Sequence, residues 1–215
     1  MLEIREEDVS EQREAENVVR EAFWNVYSPG CSDHYLLHRL RQCSAFIPQL
    51  NLVAVKDGKI VGHVANVKSY IAGDDGKRHE VVSLGPISVL PQYQNIGVGS
   101  KLISEVKRIA KKSGYRAVLL YGNPAYYLKQ GFEVAEKYGI RNSENMFAEA
   151  LLVCGLYDGA LGGLAGKYYE SDVYHVDEAA VDVFDKGFPP KEKVSGTPSQ
   201  QYFLEISARC KPFEE

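Results

Sequence analysis

The chain has little cysteine, no long apolar run and no surplus of positive charge, and each shortage closes off a class of function. Only Cys31, Cys43, Cys154 and Cys210 occur in 215 residues, and none belongs to a Cys-x-x-Cys pair. Zinc ribbons and dithiol redox motifs therefore lack their spacing. Cysteines this sparse fit the free thiols of a reducing compartment better than a disulfide framework. No stretch reaches the roughly 18 to 20 apolar residues that a membrane span requires. The opening Met1-Leu2-Glu3-Ile4-Arg5-Glu6-Glu7-Asp8 is acidic and lacks the apolar core of a secretory signal. A formal net charge of -4 argues against a nucleic-acid or anionic-membrane partner. The expectation is a cytoplasmic protein without nucleic-acid or membrane partners. Internal repeats and low-complexity runs are also missing.

What is present is an alternation of strand and helix patterns. Leu2-Glu3-Ile4-Arg5 alternates like an edge strand, and residues 10–24 repeat apolar side chains at helical spacing through Ala15, Val18, Val19, Ala22 and Phe23. Residues 33–43 read as a second helix, and residues 51–55 and 60–70 as strands joined at Asp57-Gly58. Residues 81–89 are apolar on both faces, as a central strand would be. In residues 98–113, Val98, Leu102, Val106, Ile109 and Ala110 form one helical stripe, and Gly114 follows as a left-handed cap. Residues 117–121 predict a strand, 125–130 a short helix, and 132–134 and 146–153 further strands. Beyond a glycine-rich loop at 155–166 the pattern predicts a strand at 167–174, a helix at 177–185 and a Pro-rich surface segment at 187–200. The size prior favours one domain with an elaboration.

The informative segment runs from Gly85 to Ser100, a buried strand that turns into an amphipathic helix with Gly97 and Gly99 at the helix start. Unpaired N–H groups and the positive dipole end make such a point an anion site, and glycine lets phosphate oxygens approach the backbone. Spacing separates the possible guests. The dinucleotide fingerprint Gly-x-Gly-x-x-Gly fails because Leu102 stands where the third glycine belongs, and no acid ends the following strand Leu119-Leu120-Tyr121. Gly99-Ser100-Lys101-Leu102 does not supply a P-loop.

Gln94-Asn95-Ile96-Gly97-Val98-Gly99 resembles the Gln/Arg-x-x-Gly-x-Gly/Ala motif of the GCN5-related N-acetyltransferase (GNAT) superfamily. One strand later, Tyr127-Leu128-Lys129-Gln130-Gly131-Phe132 resembles that family's Tyr-x-x-x-Gly-Phe element, and Leu84-Gly85-Pro86-Ile87 is similar to a subgroup with a Leu-Gly-Pro strand. The resemblance spans about residues 2–153. It implies an acetyltransferase domain at 1–153 and a C-terminal extension at 154–215 packed on the same domain. The implied fold is mixed α/β, a twisted, mostly antiparallel sheet of six or seven strands flanked by helices.

The resemblance further implies acetyl-CoA as cosubstrate, no metal, and a small-molecule or peptide amine as acceptor; it leaves room for a homodimer. The coenzyme-binding residues it implies are Ile87, Ser88, Val89, Gln94, Asn95, Ile96, Gly97, Val98, Gly99, Ser100 and Asn123. It makes Tyr127 the catalytic acid that protonates the leaving thiolate. Tyr27, His34, His38 and Arg41 are implied to line the acceptor pocket. His34 and His38 also have metal-compatible i, i+4 spacing beside Asp33, a pattern common on surface helices. His63 reads as a packed or hydrogen-bonded strand histidine, with general base as the other reading. Many family members place a glutamate on the strand before the glycine turn, where this chain offers Ser83 and Ser88, with His79 and Glu80 only at its far end. The base is thus unassigned, and a non-catalytic acyl-CoA sensor is the alternative to an enzyme.

Overall fold

The computed structural model describes residues 1–214. Strand β1 (Leu2–Glu6) leads through a short 3-10 turn into helix α1 (Gln12–Phe23). A capping box sets that entry: the Asp8 carboxylate accepts from the Ser10 amide, and the Glu11 carboxylate accepts from the Asp8 amide. Then follow α2 (Asp33–Leu40), β2 (Leu52–Lys56), β3 (Lys59–Gly73), β4 (Arg78–Val89), α3 (Val98–Lys112), β5 (Ala117–Tyr121) and α4 (Pro124–Tyr127). Gly114 ends α3 at φ +86°, the left-handed cap its position predicts. The remainder comprises β6 (Glu133–Val134), β7 (Ile140–Arg141), β8 (Met146–Ala148), β9 (Leu151–Gly155), β10 (Gly166–Tyr169), α5 (Glu178–Asp185), α6 (Pro198–Ser207) and β11 (Cys210–Pro212).

Among the described residues the main sheet has nine strands, seven of them in the order β1-β2-β3-β4-β5-β9-β6, with β10 beside β3 and β7 beside β10. Most pairs are antiparallel; β4 with β5 and β10 with β7 run parallel. The fold is therefore the mixed α/β, mostly antiparallel sheet with flanking helices. Strands β7 and β10 exceed the expected count because short runs after residue 139 add to the sheet.

By chain contacts the described residues fall into two units. One comprises Met1–Asn66, Gly85–Val106 and Asp172–Tyr202; the other comprises Val67–Leu84, Lys107–Ser171 and Phe203 onward. In the first, Val18 of α1 packs with Val53 and Ile60, flanked by Val55 and Leu90. In the second, Ile71, Val81, Leu119, Leu151, Val153 and Tyr168 belong to a larger buried cluster.

Three expectations need correction. Residues 146–153 are two strands, because the chain changes partners at Glu149-Ala150: β8 pairs with β11, β9 pairs with β5, and the Glu149 amide bonds the Arg209 carbonyl at 3.0 Å. The strand predicted at 167–174 stops at Tyr169, after which a 3-10 turn carries Tyr174 to the Gly85 carbonyl, 3.0 Å from its hydroxyl. The Pro-rich surface segment also ends early, in α6. Thr197 caps that helix, its hydroxyl accepting from the Gln200 amide at 3.3 Å while the Gln200 side chain accepts from the Thr197 amide at 3.3 Å. Pro198 takes the first helical position, where its missing N–H costs nothing.

Residues 172–202 are tied into the first unit through buried Arg20, whose Nε lies 2.6 Å from Asp185 and whose Nη2 lies 3.1 Å from the Pro189 carbonyl. Trp24 Nε1 donates to the Glu192 carbonyl at 2.8 Å, and the Arg13 guanidinium sits 3.4 Å from the Phe188 ring centroid. Asp185→Ala leaves the buried Arg20 charge with only the looser Glu21 carboxylate, 3.8 Å from Nη1. The expected loss is about 2 to 3 kcal/mol, the low side for a broken buried pair because Asp185 keeps some access to water. A urea melt reads it as a lower midpoint at unchanged slope.

Candidate active site

In the first unit, β4 ends at Val89 and the Leu90 amide bonds the Val61 carbonyl at 2.9 Å, which fixes where the chain leaves the sheet. A 3-10 turn at Pro91–Tyr93 follows, and the Gln94 side chain reaches back to donate to the Val89 carbonyl at 3.0 Å. Asn95 at φ +60° and Gly97 at φ +88° then reverse the chain into α3. Asparagine tolerates the left-handed region better than most residues, and glycine enters it freely.

A β-carbon on Gly97 would meet no atom within 4 Å, so the turn presents bare backbone to open space. The first amides of α3 face the same way as any helix N-terminus, short of intrahelical partners. Gln94, Asn95, Ile96 and Gly97 are exposed, whereas Val98 is buried and anchors the helix to the sheet. That anchoring depends on Gly62, where a β-carbon would lie 3.1 Å from the Ser88 carbonyl, 3.1 Å from Val98 Cγ1 and 3.2 Å from Leu102 Cδ1. Val98 thus offers a ligand only its backbone. Ser88 is buried, and its hydroxyl has no partner among the described residues. Ile87, Ser88, Val89, the turn, Gly99 and Ser100 are brought together along one strand-turn-helix path. An exposed, partly left-handed turn on a rigid strand and a 15-residue helix can cradle a polyphosphate.

Asn123 and Tyr127 lie in the second unit. Asn123 caps α4, its side-chain oxygen accepting from the Ala125 amide at 2.9 Å. Tyr127, at the other end of α4, stands edge-on to Tyr126 and to Phe132, with centroids 5.0 and 5.6 Å away. The ring needs Gly122: a β-carbon there would lie 2.4 Å from Tyr127 Cε2. In the same unit the buried hydroxyls of Ser69, Ser83 and Tyr168 form a hydrogen-bonded chain. Sequence reading gives Ser83 only, with Ser88, as what stands where a glutamate is common, so this chain goes unseen there.

The residues implied to line an acceptor pocket are mostly otherwise engaged. Arg41 is buried against Glu7 at 2.5 Å and Glu16 at 2.7 Å, and His38 Nδ1 lies 3.1 Å from Glu16. His34 is buried 3.1 Å from Asp185, and burial pushes its pKa down to about 4. Tyr27 stays exposed. His63 is a fully buried, hydrogen-bonded strand histidine, 2.8 Å from the Asn51 side-chain oxygen, and burial lowers its pKa. Among the described residues no group of three or more His, Cys, Asp or Glu is placed to hold a metal ion. No described helix is long and apolar enough to cross a membrane.

Comparison with known proteins adds the family. Residues 16–132 match the profile of the acetyltransferase (GNAT) family. The uncharacterized N-acetyltransferase YhbS of Escherichia coli strain K12 is 33% identical over 138 residues, covering 63% of this chain and 80% of that protein. The solved structure of Escherichia coli YhbS in complex with CoA superposes with a TM-score of 0.71 at 26% identity, over 80% of this chain and 91% of that one. A GNAT family acetyltransferase from Brucella melitensis in complex with acetyl-CoA gives 0.66 at 25% identity, over 81% and 99%. The profile match covers both motifs and more than half of the sequence, and this chain belongs to the GNAT acetyltransferase family.

Proposed function

We propose that the protein transfers the acetyl group of acetyl-CoA to a primary amine on a small molecule or peptide, by direct attack of the amine on the thioester. The observation that carries this reading is the glycine turn, whose backbone at Gly97 opens on free space that a side chain would fill. The coenzyme-bound complexes of the two related structures support the same ligand. In this reading the amides of Gln94, Ile96, Gly97, Gly99 and Ser100 hold the pyrophosphate, with Asn95 and Val98 completing the turn. Ile87, Ser88 and Val89 pair through their backbone with the pantetheine arm, and Asn123 adds to the coenzyme contacts. The Val89 amide polarises the thioester carbonyl, a backbone donor aimed at the oxygen that gains charge in the transition state. Tyr127 gives its proton to the departing thiolate. Residues 1–153 form the acetyltransferase domain, and 154–215 extend the same domain.

Calorimetric titration with acetyl-CoA, beside a thiol-release assay on a panel of primary amines, tests the reading. The expected result is binding in the range of about 1 μM to 1 mM and amine-dependent thiol release. Binding without release on any amine makes the protein an acyl-CoA sensor. Failure to bind acetyl-CoA or free coenzyme A removes the reading altogether.

A further inference from the structure

Where many family members carry a glutamate on this strand the chain offers Ser83 and Ser88, and a carboxylate stands at the end of the hydrogen-bond chain that Ser83 belongs to. Ser69 on β3 meets Ser83 on β4, and Ser83 meets the Tyr168 hydroxyl on β10. Tyr168 in turn bonds the side chain of Glu170, just past the end of β10. Three hydroxyls in series can each donate toward the carboxylate, since every one is both donor and acceptor. The chain is buried, whereas Glu170 is only half-buried and keeps a path for protons to solvent.

Position ties this carboxylate to the tyrosine of the second motif. The Tyr168 ring lies 6.2 Å from that of Tyr121, the last residue of β5, and Tyr121 feels the charge of Glu170. Gly122 follows directly and makes room for the Tyr127 ring. Glu170 and Tyr127 therefore belong to the same end of β5. We propose that Glu170 is the base that takes the proton from the incoming ammonium group, an inference that rests on the transferase reading above.

Burial pushes the Glu170 carboxyl up to about 7, against the pull of the Tyr168 hydrogen bond, which favours the ionised form. A base poised there accepts a proton efficiently at neutral pH. Its titratable neighbours are Tyr168 and Tyr121. Burial raises the Tyr121 phenol, with Glu170, Cys210 and Glu144 adding to the effect, so it stays neutral and does not compete. In the reaction one ammonium proton passes to Glu170, directly or through water, and the freed lone pair forms the N–C bond. The C–S bond breaks with its electrons on sulfur, and the thiolate takes the Tyr127 proton. The second proton on the new amide nitrogen restores the Tyr127 phenol, and Glu170 releases its proton to solvent. The products are the N-acetylated amine, free coenzyme A and one proton.

The test compares wild type, Glu170→Gln and Tyr168→Phe in pH profiles of kcat/KM, with calorimetric titration of acetyl-CoA on each. Glu170→Gln is expected to bind acetyl-CoA as wild type does, lose on the order of 100-fold in kcat/KM at neutral pH and lose the acid limb near pH 7. Tyr168→Phe removes the bond that favours the carboxylate, so its limb moves to higher pH, a shift that a merely structural role would not produce. A Glu170→Gln enzyme with wild-type rate and an intact acid limb overturns the assignment while leaving the transferase reading standing. A wild type that binds acetyl-CoA and acetylates no amine overturns both.

Discussion

Gly97→Val is expected to weaken acetyl-CoA binding by at least about 100-fold, more than 2.7 kcal/mol, while the protein remains folded. The reason lies in two features of one residue. Gly97 sits at φ +88°, so any side chain there costs roughly 1 to 2 kcal/mol of backbone strain. Its β-carbon would touch nothing within 4 Å, so the added carbons start from open space. They occupy the space above the turn from which phosphate oxygens must approach the amides. Gly58 is the control. It has φ +76° in the turn between β2 and β3 and is equally free of neighbours within 4 Å, but lies outside the glycine motif. Gly58→Val should cost similar stability, a few degrees in Tm for a chain of this size, and leave acetyl-CoA binding intact. Equal affinity in the two variants, measured by calorimetry, would remove the turn as the coenzyme site.

The contrast between Gly97 and Gly62 shows how far the sequence could be read. Gly97 lies within a short motif whose spacing excludes the dinucleotide and P-loop alternatives, so its proposed role is legible from local pattern. Gly62 lies 35 positions earlier in a strand, and only the fold shows that its missing side chain lets Ser88, Val98 and Leu102 close on β3. The helix stripe from Val98 to Ala110 and its Gly114 cap are visible for the same local reason. By contrast, α6 hides behind Pro189, Pro190 and Pro198, because the proline count outweighs a Thr-Pro-Ser-Gln capping pattern that the structure uses.

Long-range charge pairing is the other blind spot. Arg41 looks available in sequence, and nothing local announces that Glu7 and Glu16 close on it. Glu170 is hidden in the opposite sense, because the hydrogen-bond chain it joins through Tyr168 runs to Ser83 and Ser69, on strands that lie about 90 to 100 residues earlier. Local motifs therefore give the glycine turn, while the proposed base depends on which strands become neighbours.

Tyr127→Phe is expected to lower kcat by roughly 100- to 1,000-fold and to leave the Kd for acetyl-CoA within about two-fold of wild type, since a positioned acid acts on the chemical step. Phenylalanine keeps the edge-on packing against Tyr126 and Phe132 while removing the hydroxyl and its proton. An acyl donor whose thiol is more acidic needs that proton less, and it should recover part of the rate. Gly122→Ala approaches the same group from its support. Gly122 does not have a left-handed φ, so alanine suits the backbone, but its methyl must displace a Tyr127 ring carbon 2.4 Å away and Leu120 Cδ1 2.9 Å away. A ring moved by 1 Å delivers its proton poorly, and Gly122→Ala should also lower kcat on the order of 100-fold. The double variant Gly122→Ala/Tyr127→Phe then decides the mechanism. If alanine acts only by moving the phenol, the double variant loses no more than Tyr127→Phe alone, because there is no proton left to misplace. Additive losses mean that Gly122 serves the site through some other contact. A Tyr127→Phe enzyme at near wild-type kcat, with the leaving thiol's acidity making no difference, would show that the proton reaches sulfur from elsewhere.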